Sequence, residues 1–272
     1  MGNTCWAQRE LTYSVGLFGG LTSTFTYDEG ITVDPRYQAK YGADFIPLGL
    51  HAGVDLNGYG FMVDPQLTTL GQTFNILNTQ GGQVGERDIK LSYFQLPFSY
   101  KHHIIDLSFF KVSFVVGVSY AFLLDASESI THSNAKLYFP AAVYPALPDT
   151  YQLEYDGVVS PATNDLKTLS KSDFKSSQVF GSVGFRSDWD VTDHARISFD
   201  FRGNMGAFEP RNSEYLERAQ NNLTIYEIAG SRRDFFASLT IGYARYLFIE
   251  QKQKVKKVKP FVSYGPKRKK PK

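Results

Sequence analysis

Residues 46–56 read IPLGLHAGVDL, and from Leu48 the aliphatic side chains recur at every second position: Leu48, Leu50, Ala52, Val54 and Leu56. Gly49, His51, Gly53 and Asp55 lie between them. Successive side chains of an extended chain point to opposite faces, so this is a strand with one apolar and one polar face. In a soluble sandwich the apolar face turns inward, whereas in a membrane barrel it turns outward to lipid. Which face meets water therefore decides the fold.

The chain of 272 residues is long enough for one large all-β domain. Its 22 Phe, 17 Tyr and 23 Gly accompany a charged fraction of 21%, which excludes a disordered chain and a coiled coil. The sequence lacks a run of about 18 apolar residues, so it has no transmembrane helix. That leaves a barrel open, because barrel strands are individually weak signals. Cys5 is the single cysteine, which excludes an intramolecular disulfide and a cysteine metal cluster. In the opening MGNTCWAQRE, the Trp-Ala-Gln looks like the end of an export signal cleaved after Ala7. The basic and apolar regions of such a signal do not precede it. Cys5 lacks the apolar run of a lipoprotein signal, and Trp6 stands where a myristoylation motif has Ser or Thr.

Alternation marks eight strands. The first covers about 12–27, with Val15, Leu17 and Leu21 opposite Ser14, Gly16, Thr22 and Thr24. The second is the quoted stretch, about 45–57, and Asn57-Gly58 then signals a tight hairpin. The third, 61–77, sets Phe61, Val63 and Leu67 against Asp64, Gln66 and Thr68, although Pro65 would be a defect in a central strand. The fourth, 89–101, sets Phe94, Leu96, Phe98 and Tyr100 against Gln95, Ser99 and Lys101. The fifth covers 111–124, the sixth 178–189, the seventh 195–208 and the eighth 233–248. Connections near 57–58, 102–109 and 191–194 are read as short, and those near 28–44, 79–88, 126–177 and 209–232 as long.

Three features turn the apolar face outward. Strands six and seven place Arg186, Asp188, Arg196, Asp200 and Arg202 among Gly and Ser on their polar faces. Small residues with opposite charges suit the side-chain-filled lumen of an eight-stranded barrel. Short connections fall at one end and long ones at the other, as in outer-membrane barrels. Aromatic residues, among them Phe25, Tyr59, Tyr100, Tyr120, Trp189 and Tyr246, gather near strand ends as an interfacial girdle does. A closed ring also removes unpaired sheet edges, which hydrocarbon does not tolerate. With an even strand count both termini lie on the side of the short turns, expected to be the periplasm, and the long loops are expected outside the cell.

The segments LSYFQLPFSYKH (91–102) and FKVSFVVGVSYAFLL (110–124) resemble the PorT-like family of outer-membrane β-barrel proteins of the Bacteroidetes. That family carries a Tyr-Leu-Glu-Ile-Pro-like strand ending in Lys-Tyr, then a hairpin into a Gly-rich strand. Tyr93, Phe94, Gln95, Leu96, Pro97 and Lys101 occupy the equivalent positions, with Gln95 in place of the family's acid. The resemblance implies an outer-membrane barrel; some members serve protein secretion, and the family brings no common activity.

Little in the sequence points to chemistry. His102-His103 and His194 fall on expected turns and are read as solvated, without partners at metal-ligand spacing. His51 and Asp55 share a lumen face four residues apart, as a proton-sensitive pair or as part of a lumen hydrogen-bond network. His132-Ser133 lies in the longest expected loop, where a nucleophile and base would lack rigid support. Gly-rich phosphate loops and other cofactor motifs are missing from the sequence, so no cofactor, no metal and no enzyme activity are expected. The lumen network is expected to comprise His51, Asp55, Asp64, Gln95, Lys101, Arg186, Asp188, Asp200 and Arg202. The loop 126–177, with several Tyr and Pro, is expected to fold over the barrel mouth or dock on a partner protein, or else to shield the lumen as a mobile cover.

The tail 251–272 holds ten Lys or Arg and no acid. Subtracting those ten charges from the chain's net +2 leaves −8 for residues 1–250. Lys254, Lys256, Lys257, Lys259, Lys267, Arg268, Lys269 and Lys270 are candidate contacts to anionic headgroups or an acidic partner, with nucleic acid not expected. The organisation read from the sequence is an N-terminal segment 1–10, a barrel 11–249 and a basic periplasmic tail 250–272. The fold expected is all-β: an eight-stranded antiparallel transmembrane barrel of a Gram-negative outer membrane, acting as a structural or interaction subunit of an envelope complex. A narrow channel for small solutes, and a soluble barrel binding an apolar ligand inside, are the alternatives.

Overall fold

The computed structural model describes residues 11–42, 46–56, 58–107, 109–221, 225–227 and 229–247. The readings made on residues 1–10, on Phe248 and on the tail 250–272 lie outside the described residues. Strand β1 (Thr12–Asp28) leads through helix α1 (Glu29–Val33) and β2 (Tyr37–Lys40) to β3 (Leu48–Leu56). Next come β4 (Tyr59–Val63), β5 (Gln66–Leu77) and the two longest strands, β6 (Gln83–Asp106) and β7 (Phe110–His132). The short strands β8 (Ala135–Leu137), β9 (Gln152–Glu154), β10 (Gly157–Ser160) and β11 (Thr163–Ser170) follow. The chain then runs through β12 (Ser177–Thr192), β13 (Ala195–Gly206), helix α2 (Ser213–Asn221) and β14 (Arg232–Leu247).

Antiparallel pairing passes from β14 to β1, β3, then β4 with β5, β6, β7, β12, β13 and back to β14. β4 and β5 occupy one position in the wall, interrupted at Asp64-Pro65. The described residues thus close a ring of eight strand positions with no free edge in the wall. Pro65 is accommodated because it falls in the gap between β4 and β5, where its carbonyl accepts from Leu50 N at 2.9 Å. Gly58 sits at φ +84° in the β3–β4 turn, a left-handed conformation that glycine adopts without steric cost.

The side chains of IPLGLHAGVDL divide cleanly. Leu48 and Leu50 are 62% and 63% exposed, while Gly49, His51 and Asp55 are buried inside the ring. The same division holds around the wall: Leu17, Phe98, Val118, Phe185, Phe201 and Ile241 point out, and Ser14, Ser99, Ser119, Arg186, Asp200 and Ala244 point in. A continuous apolar exterior over a polar interior is the arrangement that lipid requires. It overturns the alternative of a soluble barrel with an apolar core. Aromatic clusters bound the apolar belt at both ends. Tyr59, Phe61 and Tyr100 pack at 5.5–6.3 Å between ring centroids and Phe110 meets Trp189 at 4.4 Å near the termini, while Phe25 meets Tyr41 and Phe235, each at 6.0 Å, at the other end.

The strand pairs β3–β4, β6–β7 and β12–β13 follow each other closely in the chain at the end that holds Thr12 and Leu247. At the opposite end the sequence expectation of a long loop over 79–88 is corrected. β6 begins at Gln83 and pairs back to β5, leaving a turn over 78–82 in which the Asn78 side chain accepts from Gln80 N and Gly82 N. The loop expected from 126 is corrected likewise, because β7 continues to His132. Both strands outrun the apolar belt: their outward residues change to Glu86, Asp88 and Lys90 and to Ser127, Ser129 and Thr131, while the inward Ile89, Leu91 and Ile130 stay buried.

The long connections fold into a cap rather than hanging free. β2 extends the sheet beside β5, β11 pairs with β7, and β8, β10 and β9 make a separate small sheet. Two apolar clusters join cap to wall. Tyr93, Ala121, Phe180 and Phe236 from the strands meet Leu169, Phe174, Tyr215 and Ala219. Ile76 and Ile130 meet Leu137, Phe139, Val143, Val158 and Tyr226. Apolar burial contributes roughly 25 cal/mol per Å², so each such contact fastens the cap onto the ring.

Candidate functional site

The polar residues read from the sequence meet in the lumen because of strand register. On β12, Arg186 and Asp188 share the inward face; on β13, Arg196, Ser198, Asp200 and Arg202 do. The β12–β13 pairing sets Arg186 opposite Asp200, Asp188 opposite Ser198 and Asp190 opposite Arg196, so complementary groups face each other by construction. β3 contributes His51 and Asp55, and β6 contributes Gln95, Ser99, Lys101 and His103.

These groups form one chain of ion pairs. Arg196 reaches Asp190 at 3.1 Å and Asp55 at 2.7 Å, and Asp55 reaches Lys101 at 2.7 Å. Lys101 reaches Asp188 at 3.0 Å, and Asp188 also takes Arg186 at 2.8 Å, Arg196 at 3.3 Å and the Ser198 hydroxyl at 2.7 Å. Arg202 then links Asp200 at 2.6 Å to Asp64 at 3.0 Å, and donates to Ser99 Oγ at 3.1 Å. Lys101, Arg186, Arg196 and Arg202 balance the buried Asp55, Asp64, Asp188 and Asp200, and Asp190 adds a fifth, less buried carboxylate at the end of the chain of ion pairs. Each buried charge is paired, which is the condition for keeping ions in a low-dielectric interior. Gln95 stands apart from this chain and accepts from Gln66 at 3.0 Å.

The structure does not bring His51 and Asp55 together as the sequence-level pair. His51 Nδ1 lies 2.7 Å from Asp64, and Nε2 lies 3.3 Å from Ser14 Oγ. A carboxylate only accepts, so Nδ1 carries a proton, and in the neutral imidazole Nε2 accepts from the Ser14 hydroxyl. This Ser–His–Asp order matches that of a nucleophilic triad. Ser14 is buried, however, and does not line the lumen cavity beside His51 and Asp64, a space of about 30 Å³. Such a volume admits one or two waters, not a substrate.

Two histidine readings are corrected. His103 is buried, not solvated: its Nδ1 lies 2.8 Å from Ser113 Oγ, because β6 continues past Lys101 and turns His103 inward. His132 is buried at the end of β7, with Nε2 2.7 Å from the Tyr226 hydroxyl and Nδ1 2.9 Å from the Ser133 carbonyl. His102 is exposed. Among the described residues, no group of three His, Cys, Asp or Glu is arranged to hold a metal.

A second polar cluster under the cap escaped the sequence reading. Arg87 forks onto Glu128, with Nε at 2.7 Å, and Arg232 reaches Glu128 at 3.2 Å. Arg211 joins Asp28 at 3.2 Å and Glu209 at 2.8 Å. Arg36 pairs with Asp34 at 2.6 Å and lies over Phe139 at 4.3 Å. Arg87 and Arg36 also donate to the carbonyls of Tyr226 at 3.1 Å and Ile225 at 3.0 Å, and so pin the 225–226 segment. Burial disfavours the Glu128 carboxylate, but the guanidinium groups of Arg87 and Arg232 outweigh it and hold this group below the usual carboxylate range. The available signal was the continued period-2 pattern of Arg87, Ile89 and Leu91, and of Glu128 and Ile130, beyond the apolar belt.

A closed antiparallel ring with an apolar exterior and an ion-paired interior defines a transmembrane β-barrel. Residues 6–208 match the outer membrane protein beta-barrel domain, and the chain belongs to that family. It is an outer-membrane protein embedded in lipid. No protein of curated function matches the sequence. Similar solved structures are neisserial surface protein A (NspA), at 11% identity and TM-score 0.38 over 86% of this chain and 96% of that one, and OprG from Pseudomonas aeruginosa, at 9% and 0.36 over 87% and 96%. Ail, the attachment invasion locus protein of Yersinia pestis, is similar at 8% and 0.33 over 85% and 97%.

Proposed function

We propose that this barrel is a closed membrane anchor with a structural or interaction role, a subunit of a larger cell-envelope complex that presents its cap outside the cell and its short turns and basic tail to the periplasm. The observation that carries this reading is the filled mid-lumen: four cations and four carboxylates interlock across it, the cavity at Asp64, Arg186 and Asp200 is about 30 Å³, and the larger cavity of about 520 Å³ lies beyond Asp55 and Arg196, at the end that holds the termini. The resemblance to PorT-like proteins supports a place in a secretion-related complex. Binding, not catalysis, is the role assigned here, since Ser14 has no room for a substrate. A fluorophosphonate probe is expected to leave Ser14 unlabelled; stoichiometric labelling lost in Ser14→Ala would make the protein an enzyme.

The cap supplies the surface for a protein partner. Tyr155 stands fully exposed at the tip of the β9–β10 hairpin, and Leu153 is 61% exposed on the short edge strand β9. A photo-crosslinker at position 155 is expected to trap one envelope protein in intact cells. The alternative is a narrow channel along Arg186, Asp188, Asp200 and Arg202, which needs these pairs to part. Planar-bilayer recording separates the two: the anchor passes no steady current, and a stable ohmic conductance would establish the channel.

A further inference from the structure

The lipid-facing wall carries a groove across β12, β13, β14 and β1. Its volume is about 720 Å³, and its lining includes Gly181, Val183, Gly203, Met205, Phe235 and Phe25. Register explains the depression. Gly203 pairs with Ala237, and Ala237 with Ser23, so three small outward residues stand in a row across three strands. A side chain built at Gly181 would meet nothing within 4 Å, and one at Gly203 would first meet the Val183 carbonyl at 3.9 Å. Phe25 and Phe235, 6.0 Å apart between ring centroids, and Met205 form the side nearer the cap.

Two cations stand at that end. Arg233 lies on the outward row of β14 two residues before Phe235, and Lys175 lies just before β12. Arg233 Nη1 donates to the Ala207 carbonyl at 3.0 Å and Lys175 Nζ to the Glu209 carbonyl at 2.8 Å, so the two flank the exposed Phe208. Each has further donors, three in all for an ammonium and five for a guanidinium. The carboxylate of Glu209, whose carbonyl Lys175 contacts, turns instead to Arg211 at 2.8 Å. An apolar trough within the membrane, ended by cations at the level where headgroups begin, fits one chemistry.

We propose that this groove holds an anionic phospholipid, with an acyl chain along Gly181, Gly203 and Ala237 and the phosphate between Lys175 and Arg233. Charge complementarity selects the occupant: a zwitterionic lipid such as phosphatidylcholine would bring its own cation to the phosphate and leave the positive charge of the pair uncompensated. Each cation near the surface favours an anionic headgroup about fivefold, so the pair predicts a preference of roughly 30-fold.

The test is native mass spectrometry of the full-length protein in micelles holding equimolar phosphatidylglycerol and phosphatidylcholine. One retained phosphatidylglycerol is expected. Lys175→Gln with Arg233→Gln should abolish the preference while phosphatidylcholine is retained as before. Gly203→Leu and Gly181→Leu, whose side chains enter open space, should expel both lipids. A heat-dependent gel shift reports that each variant is folded, and the Gln pair decides alone if a Leu variant is not. Equal retention of the two lipids by the wild type would overturn the proposal, as would undiminished phosphatidylglycerol on the Leu variants. A dimer dissociated by Gly203→Leu would also overturn it, assigning the groove to a second copy of the chain.

Discussion

Asp188 is the residue on which most of the lumen network converges, with Lys101, Arg186, Arg196 and Ser198 all against its two oxygens. Removing it leaves three buried cations short of a partner, and an uncompensated buried charge costs about 3–5 kcal/mol. Asp188→Ala is therefore expected to lower the unfolding free energy, read from urea titration of the refolded protein in lipid vesicles, by that amount. A loss under 1 kcal/mol would mean that water, not protein, satisfies these cations. The identities of the lumen residues were legible in the sequence, because alternation assigns each to a face. Their partners were not. Arg196 meets Asp55 across 141 positions of chain, and His51 takes Asp64 instead of the closer Asp55, since pairing follows strand register and lumen geometry, not spacing along one strand.

At the scale of elements, the cap is fastened where β7 ends. His132 is buried there between the Ser133 carbonyl and the Tyr226 hydroxyl, which in turn lies 3.1 Å from the Tyr151 hydroxyl. Burial pushes the imidazole pKa down, the Ser133 carbonyl opposes this, and Arg36 adds to it. The folded pKa is thus below the unfolded value near 6.5, the unfolded chain binds the proton more readily, and cap stability is lost as pH falls below about 6.5. Limited proteolysis within 133–176 is expected to accelerate between pH 7.5 and pH 5, and His132→Gln to flatten that dependence. Proteolysis independent of pH in the wild type would place the fastening elsewhere. β6 and β7 also show why the boundaries were misread. Beyond the belt their outward residues turn polar, so the apolar signal stops, yet backbone pairing continues because the inward Ile89, Leu91 and Ile130 still have a core to fill.

The whole molecule is a ring with lipid outside, charge inside and a folded lid at one end. Val118, exposed at 51% in the middle of the outward row of β7, should feel that arrangement directly. Val118→Arg is expected to cost about 2–4 kcal/mol in vesicles, the value for a cation at the midplane of a barrel wall. Leu153→Arg on the cap should stay within about 0.5 kcal/mol, as for ordinary surface sites. Equal costs would put both residues in one environment. The sequence by itself determined the eight-strand pattern, the inward and outward face of each strand and the polar character of the lumen, because a period of two is a local property of extended chain. Only the tertiary structure decided that the ring closes, that His103 and His132 are buried, that the lumen charges cancel pair by pair, and that the long connections form a packed cap. Each of these depends on residues brought together from distant strands, and no local periodicity records which strand lies beside which.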